Sequence, residues 1–154
     1  MPVELATPSD IPRLCELLAI LFNQEAEFSP DPALQSQALH AILASPETGA
    51  ILVMRETGTI LGMVSLLYTV STFLGGRVAL LEDMVVDPAW RGQGHGRTLL
   101  QSAIEHARAA GCRRITLLTD EDNAPARAFY EIFGFAASAM RPFRLQLTID
   151  DRSK

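Results

Sequence analysis

The chain has 154 residues, 48% of them hydrophobic, which bounds it to one domain with a single substantial core. A formal net charge of -5 argues against nonspecific nucleic-acid binding, and no apolar run is long enough to span a membrane. The start, Met1-Pro2-Val3-Glu4-Leu5, lacks the basic-then-apolar pattern of a signal peptide; Cys15 and Cys112 fit no metal or redox spacing, so a reducing cytoplasm is expected.

Val3 to Ala6 reads as a short first strand. Ser9 is the expected N-cap of a first helix, with Pro12 in its first turn and Ile11, Leu14, Cys15, Leu18, Leu21 and Phe22 at helical spacing. Ser29-Pro30-Asp31-Pro32 breaks the chain, and Leu34 to Leu43 forms a second helix, stopped at Ser45-Pro46. Ala50 to Met54 and Ile60 to Tyr68 read as strands about a turn at Glu56-Thr57-Gly58. After a turn at Gly75-Gly76, Val78 to Val86 is a further strand. Gly94 to Ala110 is the main helix, with Leu99, Leu100, Ala103, Ile104 and Ala107 on one face and Gly111 at its C-terminal stop. Ile115 to Leu118 is a short buried strand, Pro125 to Phe133 a helix, and Phe143 to Ile149 a weakly alternating final strand. Phe135 to Ala139 is a candidate for one more strand. Hairpins combined with one β-α-β crossover predict an α/β fold: a mixed, mostly antiparallel sheet of about six to seven strands with helices on both faces, ordered βααβββαβαβ.

The most informative segment is Val85-Val86-Asp87-Pro88-Ala89-Trp90-Arg91-Gly92-Gln93-Gly94-His95-Gly96-Arg97. A strand runs into three glycines at alternate positions, and a helix follows at once. The unpaired N–H groups of a first helical turn attract phosphate, and glycine lets a ligand approach the backbone. A P-loop is excluded, because no Lys lies in the loop. A dinucleotide fingerprint fails at its third glycine, where Arg97 stands. A third pattern, R-x-x-G-x-G, is met by Arg91, Gly94 and Gly96; a glycine-rich turn with no ligand is the remaining alternative.

That third pattern resembles the acetyl-CoA pyrophosphate loop of the GNAT acetyltransferase superfamily. The segment Asn123-Ala124-Pro125-Ala126-Arg127-Ala128-Phe129-Tyr130-Glu131-Ile132-Phe133-Gly134-Phe135 is similar to that family's N…A…FYE…GF segment, in the family's order. The resemblance is specific from Leu80 to Phe135. It implies an N-acetyltransferase with acetyl-CoA as co-substrate and no metal. Gly92, Gln93, Gly94, His95, Gly96 and Arg97 would cradle the pyrophosphate, with added charge from Arg91 and Arg97. The backbones of Met84, Val85 and Val86 would pair with the pantetheine amides, and an N–H near Val85 would polarise the thioester carbonyl. Asn123 would bond the pantetheine arm, its alternative being a helix cap. Arg127 would reach the 3′-phosphate, or simply be an exposed charge. Trp90 reads as a packing residue.

Leu80-Leu81-Glu82-Asp83-Met84-Val85-Val86 puts two carboxylates in an apolar strand. Strand alternation predicts that they point to opposite faces, and burial of a carboxylate would raise its pKa towards that of a general base. The pattern L-E-D-x-x-V followed by R-G-x-G-x-G is similar to the diamine (spermidine/spermine) branch of the superfamily, which implies Glu82 as the base, directly or through water. Asp83 is read as structural. Tyr130 is the expected proton donor to the departing thiolate: a phenol near pKa 10 can protonate a sulfur whose thiol lies near 8.5. Phe129 and Phe133, at i and i+4, take the core face and turn Tyr130 to one side.

The acceptor is expected to be a small amine. A protein N-terminus and an aminoglycoside are alternatives within the same chemistry. A non-catalytic acyl-CoA-binding regulatory module is the alternative outside it. Phe22 to Leu34 and Val70 to Arg77 are expected to shape the acceptor site, with Glu25 and Glu27 drawing a cationic amine. Dimers are common among similar proteins, so a homodimer is also an expectation.

Overall fold

The computed structural model describes residues 2–24 and 30–148. They fall into two compact units that divide between Leu117 and Leu118. The first holds β1 (Val3–Leu5), α1 (Ile11–Gln24), α2 (Pro32–Leu43), β2 (Gly49–Glu56), β3 (Thr59–Ser71), β4 (Gly76–Val86), α3 (His95–Ala109) and β5 (Ile115–Leu117). The second holds α4 (Ala124–Ile132). One mixed five-stranded sheet, ordered β1-β2-β3-β4-β5, is antiparallel except for the parallel pair β4 and β5. That pair flanks α3, as a crossover requires.

Local chemistry accounts for the element ends. A 3-10 turn, Pro8–Asp10, precedes α1 and starts at Thr7 rather than at Ser9. The Thr7 N–H donates to Asp10 Oδ2 at 2.9 Å. Arg55 bridges this buried carboxylate and Glu4, at 3.0 and 2.7 Å. α2 starts two residues earlier than expected, at Pro32: Asp31 accepts from the Ala33 and Leu34 N–H groups, and proline suits a first helical position. The β2–β3 link is a two-residue turn with positive φ at both Thr57 (45°) and Gly58 (82°), the geometry that matches strand twist. α3 closes on Gly111 (φ 84°), whose N–H donates to the Arg108 carbonyl while the Cys112 N–H reaches Ala107.

Strand alternation divides the core. Ile51 and Val53 of β2, Met63 of β3 and Val85 of β4 pack with Leu14, Leu17 and Leu18 of α1 and Leu39 of α2. α3 covers the other face with Leu99, Leu100, Ala103 and Ala107, all buried. Among the described residues no helix is long and apolar enough to cross a membrane.

The expected sheet of six to seven strands is corrected to five. Phe135 to Ala139 forms no strand: alanines and a serine bury little area and have weak strand preference. Phe143 to Thr148 forms none either, and Ile149 lies outside the described residues. Alternation there supplies an apolar row, but a strand also needs a backbone ladder, and Pro142 removes a donor at its entrance. β5 stops at Leu117, leaving Leu118 exposed.

Candidate active site

The register of β4 against β3 breaks in the middle. Ser65 pairs with Glu82 and Met63 with Val85, so Asp83 and Met84 together oppose Val64. Asp83 has φ 54°, the left-handed region. This is a β-bulge with an aspartate where glycine is usual. Such a conformation costs a non-glycine residue roughly 1–2 kcal/mol, though aspartate tolerates it better than most. The Ser65 hydroxyl, 1% exposed, lies 3.5 Å from Asp83 Oδ2 and donates to it, a long hydrogen bond.

Two expectations change here. Alternation does not carry through the bulge, so opposite faces for Glu82 and Asp83 cannot be counted from sequence spacing. Neither carboxylate is fully buried in the apolar strand: Glu82 is exposed and Asp83 half-buried.

Immediately after the bulge the strand is held close to β3. A Cβ at Gly62 would lie 2.9 Å from the Val85 carbonyl oxygen and 3.3 Å from Val86 Cγ2. No side chain fits there, so the Val85 backbone approaches β3 only because residue 62 is glycine.

The Asp87–Arg97 loop is fixed at several points. The Asp87 N–H donates to the Leu61 carbonyl at 2.7 Å, and its carboxylate accepts from the Ala89 N–H and from Arg13 at 2.7 Å. The Arg13 hydrogen bond, helped by the Ala89 N–H, holds the Asp87 carboxyl below its usual range. Arg91 Nε donates to the Val86 carbonyl at 2.9 Å, and with the Gln24 amide turned so that its oxygen faces the guanidinium, both Nη groups donate to it at 3.2 and 3.0 Å. The guanidinium of Arg91 thus ties the loop to β4 and to the end of α1. Trp90 packs against His95, with ring centroids 6.3 Å apart.

Gly92 (φ 78°) and Gly94 (φ 83°) both take the left-handed region, and a Cβ on either would meet nothing within 4 Å. Gly94 is the N-cap of α3 and offers no side chain to its N–H groups. The His95 Nε2 atom is buried without a hydrogen-bond partner. Open space, uncapped N–H donors and an orphaned imidazole nitrogen suit a pyrophosphate on the Gly92–Arg97 turn. Arg97 is exposed at this rim.

The second unit gathers the other predicted residues. Asn123 caps α4, its Oδ1 accepting from the Ala126 N–H at 3.2 Å. Arg127 Nη1 donates to the Glu121 carbonyl at 3.1 Å, bracing the turn before the helix. Gly134 (φ 97°) stops α4: its N–H donates to Glu131, and the Phe135 N–H to Tyr130. This stop brings the Phe135 ring to 5.7 Å from that of Tyr130. Phe129 lies on its other side, 5.2 Å from Tyr130 and 5.6 Å from Phe133. The F-Y-x-x-F-G-F spacing is therefore a helix, its glycine stop and an aromatic cluster around one phenol. Burial pushes the Tyr130 hydroxyl above its usual value and keeps it protonated.

Of the expected acceptor residues, Glu25 and Glu27 lie outside the described residues. Val70 to Arg77 is the tip of the β3–β4 hairpin, with Phe73 90% exposed. The strand from Arg77 to Asp83 extends for about 20 Å, which removes that tip from the bulge. Sequence reasoning missed Ser65, Gly62, Arg13 and Gln24. Only Gly62 carried a signal, as an isolated glycine inside an apolar strand.

Comparisons with known proteins point to one family. A family model described as the acetyltransferase (GNAT) family matches residues 11–135. A glucosamine 6-phosphate N-acetyltransferase of Trypanosoma brucei brucei is 41% identical over 89 residues, 57% of this chain and 58% of that protein. The chain thus aligns with little more than half the length of that relative. An uncharacterized N-acetyltransferase of Bacillus subtilis (strain 168) is 35% identical over 121 residues, 77% of this chain and 80% of that protein. The solved structure of a putative acetyltransferase from Agrobacterium tumefaciens superposes with a TM-score of 0.79 at 32% identity, covering 95% of this chain and 99% of that one.

Proposed function

The chain belongs to the acetyltransferase (GNAT) family, and from that premise we propose that it transfers an acetyl group from acetyl-CoA to a primary amine of a small molecule. The observation that carries the reading is the uncapped helix start at Gly94, entered from a strand that bulges at Asp83.

Acetyl-CoA supplies the acetyl group as an activated thioester. The N–H groups at the start of α3 hold its pyrophosphate, and the backbone of Met84 to Val86 aligns its arm. Glu82 takes a proton from the incoming ammonium; its exposure favours transfer through a water molecule. The freed amine attacks the thioester carbonyl within the ternary complex, and a backbone N–H near Val85 donates to the oxygen as it gains charge. Tyr130 gives its phenolic proton to the departing sulfur, and the second proton, shed by the newly acylated nitrogen, restores the phenol. Burial keeps the phenol protonated through neutral pH, so the proton is in place when the sulfur departs. Holding both reactants together accounts for much of the rate.

Two acceptor classes are supported. The Trypanosoma relative is named for glucosamine 6-phosphate, which favours an amino-sugar phosphate. The resemblance of L-E-D-x-x-V followed by R-G-x-G-x-G to the diamine branch supports a diamine.

Glu82→Gln and Tyr130→Phe test the assignment. Each should lower kcat about 10²-fold, the lower end of what acid–base groups contribute, and leave acetyl-CoA affinity unchanged. Full turnover in both variants would remove their assigned roles. Binding of acetyl-CoA without turnover in the parent would favour a regulatory module.

A further inference from the structure

We propose that Ser65 and Asp83 form a positioning pair that sets the β4 bulge and thereby aims the backbone around Val85 at the reacting carbonyl; the inference rests on the acetyl-transfer reading above.

Three observations converge on this pair. The first is conformational. Asp83 is in the left-handed region in the middle of an eleven-residue strand, away from any turn. A non-glycine residue persists in that region only where its surroundings over-determine it, and such residues gather at functional sites. The second is chemical. Ser65 is a polar residue in the buried heart of β3, flanked by Val64 and Leu66, both fully buried. Its hydroxyl needs a partner there, and the Asp83 carboxylate stands within reach at 3.5 Å. The third is positional. Pairing resumes at Met63 and Val85, and Gly62 lets the Val85 carbonyl approach β3 more closely than any side chain would permit. The bulge therefore lies between a side-chain tie on one side and a close backbone approach on the other. A shift of the extra residue along β4 would change which amide meets the carbonyl.

Glycine at position 83 would adopt the same φ without strain but could not bond Ser65. Aspartate supplies at this position an oxygen acceptor that glycine lacks. Asp83 is a positioning residue in this account, and Glu82 keeps the proton-transfer role.

The test uses the full chain with Ser65→Ala, Asp83→Gly and Asp83→Asn. Melting temperature establishes that each is folded. Thiol release gives kcat and KM for acetyl-CoA, and amide hydrogen exchange follows Asp83 to Val85. Ser65→Ala and Asp83→Gly should each lose about tenfold in kcat, with KM for acetyl-CoA within about twofold and faster exchange at Met84 and Val85. Asp83→Asn retains an oxygen acceptor and tolerance of positive φ, so it should recover most of the rate. Folded Ser65→Ala and Asp83→Gly proteins with parental kcat and parental exchange would overturn the pair while leaving the transferase reading intact. An equal loss in Asp83→Asn would also overturn it, because the negative charge itself would then be the requirement. A parent chain that releases no thiol with any amine would fail the transferase reading first, a result distinct from both.

Discussion

Gly94→Ala separates ligand binding from helix stability, because the molecule contains its own control. Gly94 and Gly58 have φ 83° and 82°, and a Cβ on either meets nothing within 4 Å. Alanine at either position bears the same left-handed strain, roughly 1–2 kcal/mol. In a chain of this length each kilocalorie lowers Tm by about 2–4 °C, so both variants should melt several degrees early by similar amounts. Only Gly94 stands at the uncapped start of α3. There the new methyl projects into the open space above the turn, and relief of the strain would re-aim the first N–H groups of the helix. A loss of about 1–2 kcal/mol in ligand interaction corresponds to about 5–30-fold in affinity. Calorimetric titration with CoA should show that loss for Gly94→Ala and parental affinity for Gly58→Ala. Equal affinities in the two variants, with equal Tm shifts, would refute the phosphate cradle.

The remaining predictions concern the clamp beneath the loop. Arg13 donates to the Ile60 carbonyl, Glu16 and Asp87, so Arg13→Met should cost about 1–3 kcal/mol in denaturant unfolding. Asp87 has a folded pKa below its unfolded value of about 4, so its contribution is complete above that pH and is lost as pH falls through the lower folded value. Plotted against pH from 6 to 2, Tm should fall less steeply on the acid limb in Arg13→Met than in the parent. An unchanged acid limb would show that the Arg13–Asp87 pair does not govern it. Asp10 adds a second acid-sensitive carboxylate that the variant retains: burial pushes it up, but the Thr7 N–H and Arg55 outweigh that and hold it low.

Much of the sheet was legible because its signals are local. Apolar periodicity marks α1 and α3, and Thr57-Gly58 marks the hairpin turn. The Gly92–Arg97 turn was readable for the same reason, since left-handed conformations at a helix start demand glycine. The bulge at Asp83 was not, because sequence alternation presumes an unbroken ladder, and the break depends on a cross-strand partner, Ser65, and on the close approach at Gly62. The exposure of Glu82 beside a half-buried Asp83 was illegible for the same reason. The resemblance implies added charge from Arg91; that its guanidinium also bonds the Val86 carbonyl and faces Gln24 was not readable, the second being a contact between segments far apart in the chain. Asn123 was ambiguous between cap and ligand; the hydrogen bond to Ala126 accounts for its capping role. The apolar alternation after Pro142 suggested a strand that the described residues do not form, since apolar spacing says nothing about where a ladder partner will come from.

The central claim is acetyl transfer to a small amine, and the most direct measurement is thiol release from acetyl-CoA across a panel of acceptors. The panel contains glucosamine 6-phosphate, diamines, an aminoglycoside, amino acids and short peptides, with a blank lacking any acceptor. The account predicts release above the blank with an amino-sugar phosphate or a diamine, accompanied by the mass of the acetylated product. Release that never exceeds the blank, from a folded chain saturated with acetyl-CoA, would contradict it.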